Sequence, residues 1–311
     1  MKVFELNYPN GEFPSMPCGL VLGNFDGVHR GHLALVKELK RLNKTRKQPL
    51  PLGALCFAEH PSVFFGKPVP MLCSNDEKVK LFRKAGLQFV IFCSFAQLKD
   101  LSPEDFVIKI LLKTCQCRLA VCGFNYSFGK KGAGTPEDLV RWLGSQPDHA
   151  VSVVPPVTDS GASVSSTTIR DMLERGHSED ATRLLGRPFT LSGKVQGGKQ
   201  VGREMNTPTA NLRFPANSVI PAHGVYAVTA KVGRRSYFGI SNVGVRPTFT
   251  DDGEHVTCET YLFDFNGDLY NKHITISFLH FLRAERAFPS KEALAAQIRK
   301  DIDRAKEYLM K

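Results

Sequence analysis

Along the first part of the chain, short apolar runs alternate with stretches whose apolar positions recur every three or four residues. The runs fall at residues 20–24, 52–57, 89–92, 119–123 and 151–154. They are too short for helices and apolar on both faces, which predicts buried parallel strands with helices crossing between them. Two helix starts are marked: Ser102-Pro103-Glu104-Asp105 and Thr135-Pro136-Glu137-Asp138 each set a capping hydroxyl before a proline, with an acid three residues after the cap. Ser178 reads as the cap of one more short helix, ending at Gly186 with Pro188 beyond. The pattern then changes. Alternating β-rich runs at 190–195, 225–232, 236–241, 256–263 and 273–281, separated by glycine and polar turns, predict antiparallel strands that close as a barrel or sandwich. Leu294, Ile298, Ile302, Ala305 and Leu309 predict an amphipathic helix packed against them. The expected architecture is an α/β unit over 1–186 and a β-barrel unit with a C-terminal helix over 187–311, divided at Gly186-Arg187-Pro188.

Composition agrees with that picture. A chain of 311 residues suits two domains, and 42% hydrophobic with 23% charged residues sets aside disordered, collagen-like and coiled-coil classes. No apolar run approaches the roughly 18 residues of a membrane span. Glu5 and Pro9 stand where a secretory signal would be apolar, so no membrane partner is expected and the expected location is cytoplasmic. Most of the eight cysteines sit in strand-like surroundings and read as packing thiols; Cys115 and Cys117, with Cys122 beyond, lack the further ligands of a zinc set. The net charge of +11 raises the possibility of nucleic acid, but it is evenly spread, with 24 basic and 18 acidic residues through Arg187 and 17 and 12 after it. The dense cluster at 37–47 reads as the solvated face and end of a helix, so no nucleic-acid partner is expected, and the excess charge suits polyphosphate ligands.

The strongest chemical signal is Gly23-Asn24-Phe25-Asp26-Gly27-Val28-His29-Arg30-Gly31-His32, where the first strand gives way to the first helix. Open α/β sheets bind nucleotides at this crevice: glycines let backbone approach phosphate, a helix N-terminus attracts anions, and imidazoles three apart can face the same group. No H-E-x-x-H is present, and the stretch is not a dinucleotide fingerprint. It resembles the G-x-F-D-G-x-H-x-G-H signature of the nucleotidyltransferase module in bacterial bifunctional riboflavin kinase/FAD synthetases. The resemblance continues through Phe57, His60 and Pro61, Leu101-Ser102-Pro103-Glu104, Gly123-Phe124-Asn125-Tyr126-Ser127-Phe128-Gly129 and Val164-Ser165-Ser166-Thr167-Thr168-Ile169-Arg170. It implies a Rossmann-like nucleotidyltransferase fold for the first unit. In such enzymes the FMN phosphate attacks the α-phosphate of ATP and pyrophosphate leaves. His29, His32 and Arg170 would neutralise the growing charge, Gly23, Phe25, Asp26, Gly27 and Asn125 would shape the nucleotide site, and Ser166 and Thr167 would meet phosphate oxygens. Gly129-Lys130-Lys131-Gly132-Ala133-Gly134-Thr135 does not fit the P-loop frame and reads as a mobile loop.

In the second unit, Gly193-Lys194-Val195-Gln196-Gly197-Gly198 precedes Gly202-Arg203 and Pro208-Thr209-Ala210-Asn211. Pro-Thr-Ala-Asn resembles the P-T-A-N signature of riboflavin kinases. That resemblance implies that Thr209 and Asn211 hold Mg²⁺ carried on ATP, while Gly193, Gly197, Gly202, Arg203 and Pro208 border the phosphates. Asn242-Val243-Gly244-Val245-Arg246-Pro247-Thr248-Phe249 and Glu259-Thr260-Tyr261-Leu262-Phe263-Asp264-Phe265 also match that family. Glu259 would accept the proton of the riboflavin 5′-hydroxyl. Met205-Asn206-Thr207 departs from the commoner G-R-x-L-G-F before P-T-A-N. The implied partners are ATP, riboflavin, FMN and FAD, with both reactions on one chain. The alternative is a chain in which only one module is active. A regulator with decayed sites is disfavoured, since both sets of polar positions are filled.

Overall fold

A computed structural model describes residues 1–9, 16–196, 209–246 and 255–310. By packing, the chain divides into two units, Met1–Ser166 and Thr167–Lys311.

In the first unit six strands form one parallel sheet in the order β1-β4-β3-β2-β5-β6. They are β1 (Lys2–Leu6), β2 (Cys18–Leu22), β3 (Leu52–Phe57), β4 (Phe89–Cys93), β5 (Cys117–Gly123) and β6 (Ala150–Val154). Both faces are covered, which is why the central strands are continuously apolar. Alternation sends Leu20, Leu22, Leu55 and Ile91 to one face, against Phe106, Ile110, Leu139 and Leu143. Val21, Ala54 and Val90 go to the other, against Leu35 and Leu39 of the helix Arg30–Lys44 and Phe82 of the helix Asn75–Ala85. The expected 20–24 strand ends at Leu22, because Phe25 adopts a left-handed conformation (φ 54°, ψ 34°) that no strand continues. The charged cluster at 37–47 does lie on and beyond the solvated side of the first helix, where Lys37, Lys40, Arg41 and Lys44 are exposed.

Both proline-marked helix starts form as expected. The Ser102 hydroxyl accepts from Asp105 N–H at 3.0 Å, and Thr135 and Asp138 cap each other reciprocally. Two expectations are corrected. The 129–135 segment is tied down: Phe128 and Gly134 exchange backbone hydrogen bonds of 3.2 and 2.8 Å, and Lys130 N–H reaches the Leu101 carbonyl at 2.6 Å. Ser178 is the first residue of the helix Ser178–Leu185 rather than its cap, a position taken by His177. A two-stranded hairpin, β7 (Thr158–Asp159) and β8 (Ala162–Ser163), follows β6.

In the second unit six antiparallel strands run in the order β10-β13-β12-β11-β14-β9. They are β9 (Phe189–Lys194), β10 (Thr209–Arg213), β11 (Gly224–Val232), β12 (Arg235–Arg246), β13 (His255–Leu262) and β14 (His273–Ala284). Gln196 N–H donates to the Asn211 carbonyl at 2.9 Å and joins the two ends of the sheet into a barrel. Tyr226, Val228, Val243, Cys258 and Phe278 are buried. Val225, Ala227, Ile240 and Phe263 pack on the helix Lys291–Leu309 through Ile298, Ile302, Ala305 and Leu309, as the heptad-like spacing predicts. Buried Asp301 of that helix takes Arg283 of β14 side-on, through Nε and Nη2. Four strands were not anticipated: β1, β10 and the two of the β7–β8 hairpin. β1 is a half-exposed edge, and β10 carries Thr209 and Asn211.

Candidate active sites

The first site is assembled by topology. β2, β5 and β6 are adjacent and parallel, so the segments after their carboxyl ends emerge along one edge of the sheet. Those segments are the Gly23–His32 turn, the Gly123-Phe124-Asn125 corner and the stretch leading to Ser166. The strand order reverses about β2, which is where open α/β sheets leave a crevice for nucleotides. Left-handed Phe25, Gly27 (φ 76°) and Val28 (φ 41°) wind the chain from β2 into the first helix. A left-handed aromatic costs roughly 1–3 kcal/mol and persists only where packing fixes it. Here Phe25 is fully buried between Phe82 and His32, both edge-on with ring centroids 5.1 Å away.

His29 caps the first helix, its Nδ1 accepting the His32 N–H at 3.4 Å. That bond leaves the proton of the neutral His29 ring on Nε2. The two imidazoles stack, centroids 3.6 Å apart and planes 19° from parallel. His32 Nδ1 is shut off from solvent and has no hydrogen-bond partner. Burial, with His29 and the ammonium of Lys78 close by, holds the His32 pKa well below its ordinary 6.5, so the ring is neutral at physiological pH. Asp26, also buried, accepts from Leu72 N–H at 2.9 Å and helps to brace the turn. Asn125 is exposed and folds its Oδ1 back over Gly123.

Ser166 Oγ donates to the Asp26 carbonyl at 3.0 Å, fastening the Ser-Ser-Thr segment to the histidine turn. Arg30 and Asp159 of the β7–β8 hairpin make a second tie at 2.8 Å. Thr167 and Arg170 follow in the first turns of the helix Ser166–Glu174.

Sequence reading missed two groups. One is aromatic: Phe57, at the end of β3, begins a cluster with Phe95, Phe64 and Phe65, whose rings lie 5.4–5.6 Å apart, and Phe64 and Phe65 are 50% and 63% exposed. Two consecutive phenylalanines after His60-Pro61 were the available signal. The other is Lys78, buried on the helix Asn75–Ala85.

The second site lies across the barrel wall. Asn211 of β10 pairs with Glu259 of β13, and Glu259 pairs with Asn242 of β12, so the three side chains form one row on one face. Thr209 stands two residues from Asn211 on the same face. Asn242 donates to Glu285 at 3.3 Å. Asn211 is buried, and its Oδ1 has no hydrogen-bond partner. An orphaned neutral oxygen beside a hydroxyl and a carboxylate fits a hard divalent cation whose charge is balanced by polyphosphate. Gly193 lies within β9, where a Cβ would come 2.9 Å from Leu212, so its lack of a side chain serves close strand packing. Gly197, Gly202, Arg203 and Pro208 lie outside the described residues, as do Met205-Asn206-Thr207.

A crevice of the kind that takes nucleotides on a parallel sheet, joined in one chain to a barrel with a carboxylate between two amides, fits a two-unit transferase that uses nucleotides. Residues 14–168 match the FAD synthetase family and residues 185–309 the riboflavin kinase family. The chain is 34% identical to the bifunctional riboflavin kinase/FMN adenylyltransferase of Listeria monocytogenes, covering 97% of this chain and 96% of that protein. It is 34% identical to the enzyme of the same description from Pseudomonas fluorescens (93% and 92% covered), and 32% identical to that of Escherichia coli (99% and 98%). A crystal structure described as a macrolide-efflux protein from Streptococcus pneumoniae superposes with a TM-score of 0.87 at 29% identity, covering 98% of this chain and 99% of that one. Among the described residues no helix is long and apolar enough to cross a membrane.

The chain belongs to the bifunctional riboflavin kinase/FMN adenylyltransferase family. It carries both domains of that family, one for making FMN from riboflavin and one for making FAD from FMN, each using ATP with a divalent metal.

Proposed function

We propose that the two reactions are divided between the two sites described, and that the divalent metal is Mg²⁺. For FMN formation, the carrying observation is the Asn211–Glu259–Asn242 row with Asn211 Oδ1 unpartnered. Thr209 and Asn211 would hold the metal, which supplies charge neutralisation on the ATP phosphates. Glu259, next in the row, takes the proton of the riboflavin 5′-hydroxyl as its oxygen bonds to the γ-phosphorus of ATP and ADP leaves.

For FAD formation, a bond forms between an FMN phosphate oxygen and the α-phosphorus of ATP, and pyrophosphate leaves. The reaction needs alignment and donors aimed at growing negative charge, with no covalent enzyme intermediate. His29 Nε2–H and neutral His32 are such donors at the head of a helix, and the Gly23–Gly27 turn offers backbone close by. Ser166 fixes the clamp to that turn, and Asn125 borders it. The phosphate roles of Thr167 and Arg170 are supported by their place in the sequence motif. The exposed Phe64-Phe65 pair suits the planar, apolar flavin ring, since aromatic faces stack favourably. The functional boundary falls at Gly186-Arg187-Pro188, supported by the start of the riboflavin kinase match at 185. A cytoplasmic site of action follows from the supply of ATP there.

Incubating the pure protein with riboflavin, ATP and Mg²⁺ and separating the flavins by chromatography tests the scheme. FMN should appear first and FAD after it, and chelation should stop FMN formation. Accumulation of FMN with no FAD would leave one working module.

A further inference from the structure

We propose that Lys78 is a positioning residue of the adenylyl-transfer site, its buried ammonium fixing the Asn24 carbonyl and with it the strand-to-helix turn that presents His29 and His32. The proposal rests on the reading of that turn as the adenylyl site. Lys78 lies on the helix Asn75–Ala85, whose other basic residues, Lys80, Arg83 and Lys84, are exposed. Lys78 alone turns inward and is 1% exposed. Burying an ammonium is costly, and a leucine or methionine would fill the space without that cost. What an aliphatic side chain lacks is a donor and a charge, and both have a recipient here.

The donor goes to the Asn24 carbonyl, 3.2 Å from Nζ. Asn24 immediately precedes left-handed Phe25, the residue on which the direction of the turn depends. One helical turn further on, Phe82 packs edge-on against Phe25, Phe25 against His32, and His32 stacks on His29. The helix Asn75–Ala85 therefore holds the turn at two points, one polar and one aromatic. The π-face of Phe92, centred 6.0 Å from Nζ, lines the other side of the ammonium.

The charge acts on the imidazoles. The ionisable groups that act on His32 are His29, which caps its helix, and Lys78 on the helix Asn75–Ala85, with Asp26 in the same turn. Asp26 accepts from Leu72 N–H and lies beside Cys73. Arg30 is paired with Asp159, and Glu77 is engaged in capping Ser74. Lys78 therefore adds to burial and to His29 in opposing protonation of His32, keeping it a neutral donor as anionic substrates arrive.

The test uses the full chain with Lys78→Met, which keeps the apolar stem, and Lys78→Gln, which keeps a donor and removes the charge. Riboflavin kinase activity of the same samples serves as the internal reference. Lys78→Met should lower kcat for FAD formation on the order of 10²-fold while KM for ATP changes less than about twofold, the signature of misplaced transition-state donors. The NMR titration midpoint of His32 should rise in both variants. Lys78→Gln should recover part of kcat through its amide donor. A kcat for Lys78→Met equal to wild type, with His32→Ala inactive, would sink the proposal and leave the site reading intact. Loss of kcat with the His32 midpoint unmoved and no recovery in Lys78→Gln would reduce Lys78 to core packing and also overturn it. Full FAD synthesis by His32→Ala would remove the site reading and the proposal together. Should Lys78→Met not accumulate as folded protein, the His32 midpoint in Lys78→Gln decides.

Discussion

Gly31 lets the two histidines of the adenylyl turn stack, because a Cβ there would meet the His29 ring at 3.0 Å. In the proposed mechanism the pair supplies N–H donors, so deleting either ring should remove transition-state stabilisation. His29→Ala and His32→Ala should each cut FAD formation by roughly 10²-fold or more, the usual scale for one such donor, with FMN formation retained; chromatography of both half-reactions reads this. His32 also links folding to pH. Its pKa in the fold lies well below the 6.5 of an unfolded chain, so the unfolded state binds a proton first as pH falls. Stability from its neutral burial is complete above pH 6.5 and is lost progressively below it. Calorimetry between pH 7 and 5 should therefore show a smaller loss of Tm in His32→Gln than in the wild type, carboxylate titration being common to both. In the barrel, Glu259→Gln keeps shape and removes proton acceptance. Its kcat for FMN formation should fall by roughly 10²–10⁴ with riboflavin affinity little changed, whereas Asn211→Ala should raise the Mg²⁺ concentration needed for half-maximal rate.

At the scale of elements, the aromatic corner after β3 makes its own prediction. Phe64→Ala should raise KM for FMN by about tenfold, the size of one lost stacking contact, and leave the KM for riboflavin in the kinase reaction unchanged. Steady-state kinetics on the two half-reactions distinguishes this from a general loss of fold. That corner also shows where sequence patterning ends. The central strands were legible because burial on both faces leaves an unbroken apolar run, and the histidine turn was legible because its chemistry is local. β10 was not: in Thr-Ala-Asn-Leu-Arg only Ala210 and Leu212 alternate with polar residues, too short a pattern to mark a strand without a β-branched or aromatic run, and its neighbours β13 and β9 make it one. β1 likewise mixes exposed and buried positions, as edge strands do. Lys78 sits in Asn-Asp-Glu-Lys-Val-Lys, which reads as a solvated helix, and its burial is set by the turn it meets, some fifty positions earlier in the chain. The solvated reading of residues 37–47 fits Lys37, Lys40, Arg41 and Lys44, which are exposed, while Arg46 turns in to Asp148.

At the scale of the whole molecule, the two units differ in a way that makes each measurable alone. All eight thiols are buried and free. Burial pushes Cys18, Cys73 and Cys122 up to about 12 and Cys56 and Cys258 up to about 11, and it raises Cys93, Cys115 and Cys117 as well. A thiol that is neither accessible nor ionised does not alkylate. Native protein at pH 8 should take up no iodoacetamide, and denatured protein should take up eight equivalents. Seven of these cysteines belong to the first unit, and Cys258 alone belongs to the second. The one tryptophan, Trp142, is half-buried and packs against the first unit's core. The barrel thus carries a single chemical label of its own, and the flavin-adenylylating half carries the only indole. In a denaturant series, intact mass spectra would show species modified once or seven times wherever one half opens without the other, and a direct jump to eight would mean that they open together. Emission from Trp142 then dates the opening of one half, and the lone adduct on Cys258 that of the other. The distribution of two residue types makes this enzyme its own two-channel recorder of which catalyst fails first under stress.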